Sequence, residues 1–112
     1  MAFINISGKN IYIDNYGKDN KNSLLYLHGG PGAGCLDFHN QAQSIGKYCN
    51  VIAIDQYGVL RSDAISDAEN YGMEIQIEML ERLRVQLGIN KWSLLGHSYG
   101  GMLAALYATM CL

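Results

Sequence analysis

The chain has 112 residues, 49% of them hydrophobic and 16% charged, with a formal net charge of −2. That length bounds it to one small domain, taken here as residues 1–112, with a globular balance of residue types. The faint negative charge excludes a basic face for nucleic acid or for an anionic membrane surface. From the amino terminus, residues 3–6 and 11–16 are rich in β-formers, and Gly8-Lys9-Asn10 between them predicts a hairpin. Residues 17–22 are polar and read as a loop, and residues 23–27 form a continuous apolar run, hence a buried strand. Residues 28–34 are glycine-rich loop, residues 36–45 predict a helix with Asp37 near its positive end, and residues 50–54 predict another buried strand. After a loop over residues 55–67, Ile75, Met79, Leu80, Leu83 and Leu87 recur at helical spacing, with Gly88 as the stop. Residues 92–95 predict a further strand and residues 102–112 a helix. The order β-β-β-α-β-α-β-α predicts a mostly parallel sheet with an initial antiparallel hairpin and helices on both faces.

The amino terminus has neither a basic region nor a long apolar core, so no signal peptide is expected. The longest apolar run, residues 102–112, falls short of the roughly 20 residues needed to cross a bilayer. It also lacks a glycine cap or polar last turn, and reads as cut within a helix. Cys35, Cys49 and Cys111 are scattered, with no C-x-x-C spacing. An odd, dispersed set suits reduced thiols and a cytoplasmic location. The histidines show no ligand spacing, so no metal is expected; no cofactor is expected either.

The chemistry concentrates at Gly96-His97-Ser98-Tyr99-Gly100, which fits G-x-S-x-G between a predicted strand and a predicted helix. That context defines a nucleophile elbow, a strained turn that holds a serine hydroxyl clear of the sheet. Gly96 and Gly100 meet the need for close backbone approach on either side of the serine. Upstream, His28-Gly29-Gly30-Pro31-Gly32 places three glycines in five residues after a strand, leaving backbone N–H groups unobstructed. Beside a nucleophile, such a loop can aim a donor at the oxyanion formed in acyl transfer, and the Tyr99 N–H would supply the second. Asp63, Asp67 and Glu69 read as a solvated acidic loop.

His28-Gly29-Gly30-Pro31-Gly32, then Asp55-Gln56 after a strand, then Gly96-His97-Ser98-Tyr99-Gly100-Gly101, in that order, resembles the α/β-hydrolase superfamily. Within it, the HGGPG loop and the D-Q segment resemble the proline iminopeptidase group of serine peptidases, family S33. The resemblance implies the N-terminal half of an α/β-hydrolase fold. It implies Ser98 as nucleophile, Gly30 and Tyr99 as oxyanion donors, and His28 as a loop-stabilising histidine. It further implies Asp55 and Gln56 as the start of a segment usually written D-Q-x-G-x-G-x-S, where Leu60 here replaces the second glycine. The substrate would be a peptide or another small molecule carrying an amide or ester.

The triad of this fold runs Ser, then Asp or Glu, then His, yet no acid and no histidine follows Ser98. His39 and His97 are poor substitutes for the missing base. The resemblance also places the strand at residues 92–95 inside a larger sheet, so one of its edges is expected to be open and the chain only marginally soluble. Two readings follow: a hydrolase piece that is inactive alone, or a non-catalytic module that binds through its open edge.

Overall fold

The computed structural model describes residues 2–29, 34, 35, 38–56, 62 and 73–111. Its elements are β1 (Ala2–Ile6), β2 (Lys9–Tyr16), β3 (Ser23–Leu27), α1 (His39–Ile45), β4 (Asn50–Ile54), α2 (Met73–Gln86), β5 (Ser93–Gly96) and α3 (Tyr99–Met110). β1 and β2 are joined by a two-residue turn in which Ser7 (φ 52°) and Gly8 (φ 87°) are both left-handed. Two consecutive positive φ values define the type I′ turn, whose twist matches that of the flanking strands. The turn therefore sits earlier than the glycine pattern predicts, and Lys9 and Asn10 already pair with Ile6 and Asn5.

The sheet order is β1-β2-β4-β3-β5. β2 runs antiparallel to both β1 and β4, whereas β3 is parallel to both β4 and β5. The sheet is thus mixed, with the expected parallel character carried by β3, β4 and β5. The reason is loop length. The segment from Tyr16 to Ser23 is too short for a crossover, so β3 must return in the direction opposite to β2.

Position in the sheet also decides which face each helix covers. The chain steps from β3 to β4 on one side, then from β4 back past β3 to β5 on the other. Right-handed crossovers in opposite senses put their helices on opposite faces. Accordingly, Leu25, Leu27, Ile52 and Ile54 face Leu80, Leu83, Leu103 and Tyr107 of α2 and α3 in one core. Tyr26, Val51 and Ala53, at the alternate strand positions, pack with Phe38 and Ala42 at α1 on the other. Tyr26 and Phe38 stack with ring centroids 3.8 Å apart.

Helix limits follow local chemistry. α1 is described from His39, after Phe38 donates its N–H to the Cys35 carbonyl at 3.1 Å; residue 36, where the helix is expected to begin, and Asp37 lie outside the described residues. α2 stops at a left-handed Gly88 (φ 73°), whose N–H reaches the Val85 carbonyl while the Ile89 N–H reaches that of Arg84. This paired pattern is the Schellman motif, which satisfies carbonyls the helix end would otherwise leave open. β5 pairs only with β3 among the described residues, and its Ser93 and Leu95 side chains are exposed. Among the described residues, no helix is long and apolar enough to cross a membrane.

Candidate active site

β3 has β4 on one side and β5 on the other, so the chain reverses its winding direction there. Crevices at such a switch point, beyond the carboxyl ends of parallel strands, are where open α/β sheets bind ligands. Leu27 pairs with Gly96, which brings the segments leaving β3 and β5 side by side at that end.

Ser98 occupies the junction of β5 and α3 with φ 56° and ψ −116°. A non-glycine residue there carries strain of about 1–3 kcal/mol that the surroundings must hold. They hold it through close backbone packing. A Cβ on Gly96 would lie 2.2 Å from the Gly100 carbonyl oxygen, and one on Gly100 would lie 2.0 Å from that of Leu27. Both glycines are required, as the G-x-S-x-G spacing implies, although Gly100 is confined by β3 rather than by Gly96. The His97 N–H donates to the Leu27 carbonyl at 3.1 Å and fixes the turn to β3. The Ser98 side chain is exposed and makes no capping hydrogen bond to its own helix. Tyr99, the first residue of α3, has an N–H that no intrahelical carbonyl can accept, at the positive end of the helix dipole.

The glycine loop meets the elbow at Gly29. A Cβ there would lie 2.7 Å from His97 Nδ1, 2.8 Å from the His97 carbonyl oxygen and 3.2 Å from Ser98 Cβ. Gly30, Pro31 and Gly32 lie outside the described residues, as do Leu60, Asp63, Asp67 and Glu69. His28 is buried, and its Nε2 accepts the Gln56 main-chain N–H at 3.1 Å. A nitrogen that accepts carries no proton, so Nδ1 holds the hydrogen and donates to the Gly29 carbonyl at 3.1 Å. The Gln56 side-chain amide returns a bond to the His28 carbonyl at 3.4 Å. Burial pushes the His28 ring below its ordinary pKa, opposed by the Gly29 hydrogen bond and the nearby Asp55 carboxylate. Asp55 is fully buried and accepts the Cys35 N–H at 2.8 Å, tying the far end of the loop to β4.

Ser62 belongs to this cluster too. Its hydroxyl accepts the Tyr12 N–H at 2.9 Å and donates to the Asp55 carbonyl. The available signal was its place as the final serine of the D-Q-x-G-x-G-x-S pattern. Neither His39 nor His97 hydrogen-bonds the Ser98 hydroxyl; His39 is exposed and shares a 2.8 Å bond with the Tyr16 hydroxyl. No cluster of potential metal ligands occurs among the described residues. A cavity of about 740 Å³ opens between α2, β5 and α3, lined by Glu81, Arg84, Trp92 and Tyr107. It lies at the opposite ends of β5 and α3 from Ser98.

The sequence profile of the alpha/beta hydrolase fold matches residues 22–110. The proline iminopeptidase of Saccharolobus solfataricus is 44% identical over 106 residues, covering 92% of this chain and 34% of that protein. That of Xylella fastidiosa is 35% identical over 98 residues, covering 88% of this chain and 31% of its own. The proline iminopeptidase-related protein of Thermus thermophilus superimposes with a TM-score of 0.89 at 23% identity, over 98% of this chain and 40% of that one. The chain spans about a third of the length of the curated relatives it matches.

Proposed function

Because the chain belongs to the α/β-hydrolase family, we propose that Ser98 is the nucleophile of a serine hydrolase resembling the proline iminopeptidases. The substrate is a peptide that loses its N-terminal residue, or a small ester. The Ser98 oxygen adds to the scissile carbonyl as its proton passes to a general base, and a tetrahedral oxyanion forms. The leaving amine or alcohol departs with that proton as the carbonyl re-forms, and water then hydrolyses the acyl-enzyme. The main-chain N–H groups of Gly30 and Tyr99 hold the oxyanion, and each such donor stabilises the transition state by about 2.7–4 kcal/mol. His28, Gly29, Pro31 and Gly32 shape the loop, with Asp55 and Gln56 anchoring it. The observation that carries this reading is the strained, exposed Ser98 at the head of α3, with Gly29 packed against it.

No histidine hydrogen-bonds Ser98 among the described residues, and none follows it in sequence. The chain spans about a third of the length of its curated relatives, and in this reading these 112 residues alone present the nucleophile without turning over. Its three cysteines, none in a disulfide, fit a cytoplasmic setting. A second reading rests on the edge of β5 that is unpaired among the described residues, which a non-catalytic module would use to pair with another chain. Labelling by a fluorophosphonate separates the two. Covalent modification at Ser98, lost in Ser98→Ala, supports the hydrolase; a folded chain that resists labelling supports the module.

A further inference from the structure

His28 is the sole described side chain that reaches from the start of the glycine loop to the end of β4 through a ring nitrogen, and both of its nitrogens are engaged. The two bonds make opposite demands. Nδ1 donates to Gly29, while Nε2 must stay bare to accept the Gln56 N–H. We propose that His28 is an acid-labile latch on this loop: its neutral Nδ1–H form ties residues 28–29 to β4, and protonation at Nε2 releases them. A proton added to Nε2 turns an acceptor into a donor facing another donor, at a buried ring whose new charge is poorly solvated.

The surroundings fix the direction. Among the described residues, the titratable groups near the ring are Asp55 just past the end of β4 and, across Gly29, His97 of the turn before α3. Asp55 favours the charged ring, but its carboxylate is itself engaged by the Cys35 N–H, and desolvation dominates. The folded chain therefore binds this proton more weakly than the unfolded chain. Between the folded and unfolded pKa values the unfolded state holds more protons, so stability falls as pH drops through that window. The released segment is the one packed on Ser98, so the latch rests on the proposed reading only where it predicts reactivity.

The test is a pH titration of the full chain, with histidine ring nitrogens and backbone amides observed by NMR. His28 is expected as the Nδ1–H tautomer at neutral pH, titrating below free histidine, with the Gln56 amide resonance shifting at the same midpoint. An Nε2–H tautomer, or a Gln56 amide that stays put while the ring titrates, overturns the latch. In parallel, the rate of fluorophosphonate labelling at Ser98 is expected to be halved at that midpoint. His28→Gln, which offers an acceptor that does not titrate, is expected to remove this pH dependence; persistence of the same midpoint in a folded His28→Gln chain overturns the proposal. Failure of Ser98 to label at any pH sinks the hydrolase reading instead, and leaves the NMR arm to decide the latch.

Discussion

Gly96 lies against the main chain of Gly100, so closely that a Cβ on Gly96 would stand 2.2 Å from the Gly100 carbonyl oxygen. Main chain meets main chain here, and no side-chain rotation can relieve the overlap. Gly96→Ala is expected to destabilise the chain by about 1–3 kcal/mol, the usual cost of forcing extra atoms into a packed site. It should also abolish labelling of Ser98, since the turn can accept the methyl only by opening. Gly101 is the contrasting neighbour: a Cβ there would meet nothing closer than 3.5 Å. Gly101→Ala, inside α3, should be neutral or stabilising by up to about 1 kcal/mol. Urea midpoints of the two variants, with labelling rates measured on each, check the pair.

Gly29 separates stability from reactivity. Its close neighbours include the His97 ring, which can swing away, and the His97 carbonyl, which cannot. Gly29→Ala should therefore cost about 1–2 kcal/mol by overpacking. The larger effect should fall on Ser98, which sits on the far side of the same contact. A labelling rate reduced tenfold or more in a chain that still unfolds cooperatively is the expected result.

Far from the elbow, α2 and α3 are joined through a polar chain. The Trp92 indole N–H donates to the Tyr107 hydroxyl at 3.1 Å, and that hydroxyl donates to Glu81. Arg84 meets the same carboxylate at 2.9 Å. The Arg84 hydrogen bond, then that of Tyr107, hold the Glu81 carboxyl below its usual pKa, while burial opposes them. A carboxylate with a depressed folded pKa contributes stability above its unfolded value and loses it as pH falls through the folded one. The stability gap between the parent chain and Glu81→Gln should accordingly narrow on acidification. Tyr107→Phe strands the Trp92 N–H and should cost about 1–2 kcal/mol at neutral pH. Denaturant titrations at neutral and acid pH read both effects.

What the residue pattern could reveal was governed by distance along the chain. β3 and β4 fall at their expected limits, because a continuous apolar run needs only a sheet with two covered faces. The tight turn at Ser98 was legible for a similar reason: glycine at both flanks of a serine is a demand of local backbone geometry, and Gly96 and Gly100 meet it within five residues. The bond between Gln56 and His28 was not legible in detail, since it requires β3 and β4 to be neighbours and fixes a tautomer no motif encodes. The direction of β2 relative to β4 likewise depended on an insertion of β4 between β2 and β3 that local pattern does not carry. α3 begins at Tyr99, ahead of the apolar run that announced it, because the strained Ser98 turns the chain directly into the helix.

Ser62 marks the limit of motif reading and yields the last prediction. Its hydroxyl joins three strands' worth of structure: it accepts from Tyr12 on β2 and donates to the Asp55 carbonyl at the end of β4, whose side chain anchors the loop leaving β3. Ser62→Ala removes two buried hydrogen bonds, one from the Tyr12 N–H and one to the Asp55 carbonyl, and each lost bond of that kind costs about 0.5–1.5 kcal/mol. The loss should appear as a lower urea midpoint with an unchanged slope, because the surface exposed on unfolding does not change. It should also loosen Asp55, so the Cys35 amide, which donates to that carboxylate, is expected to exchange with solvent faster. Unchanged exchange at Cys35 in a destabilised Ser62→Ala chain would confine the role of Ser62 to joining β2 and β4, with no reach into the loop.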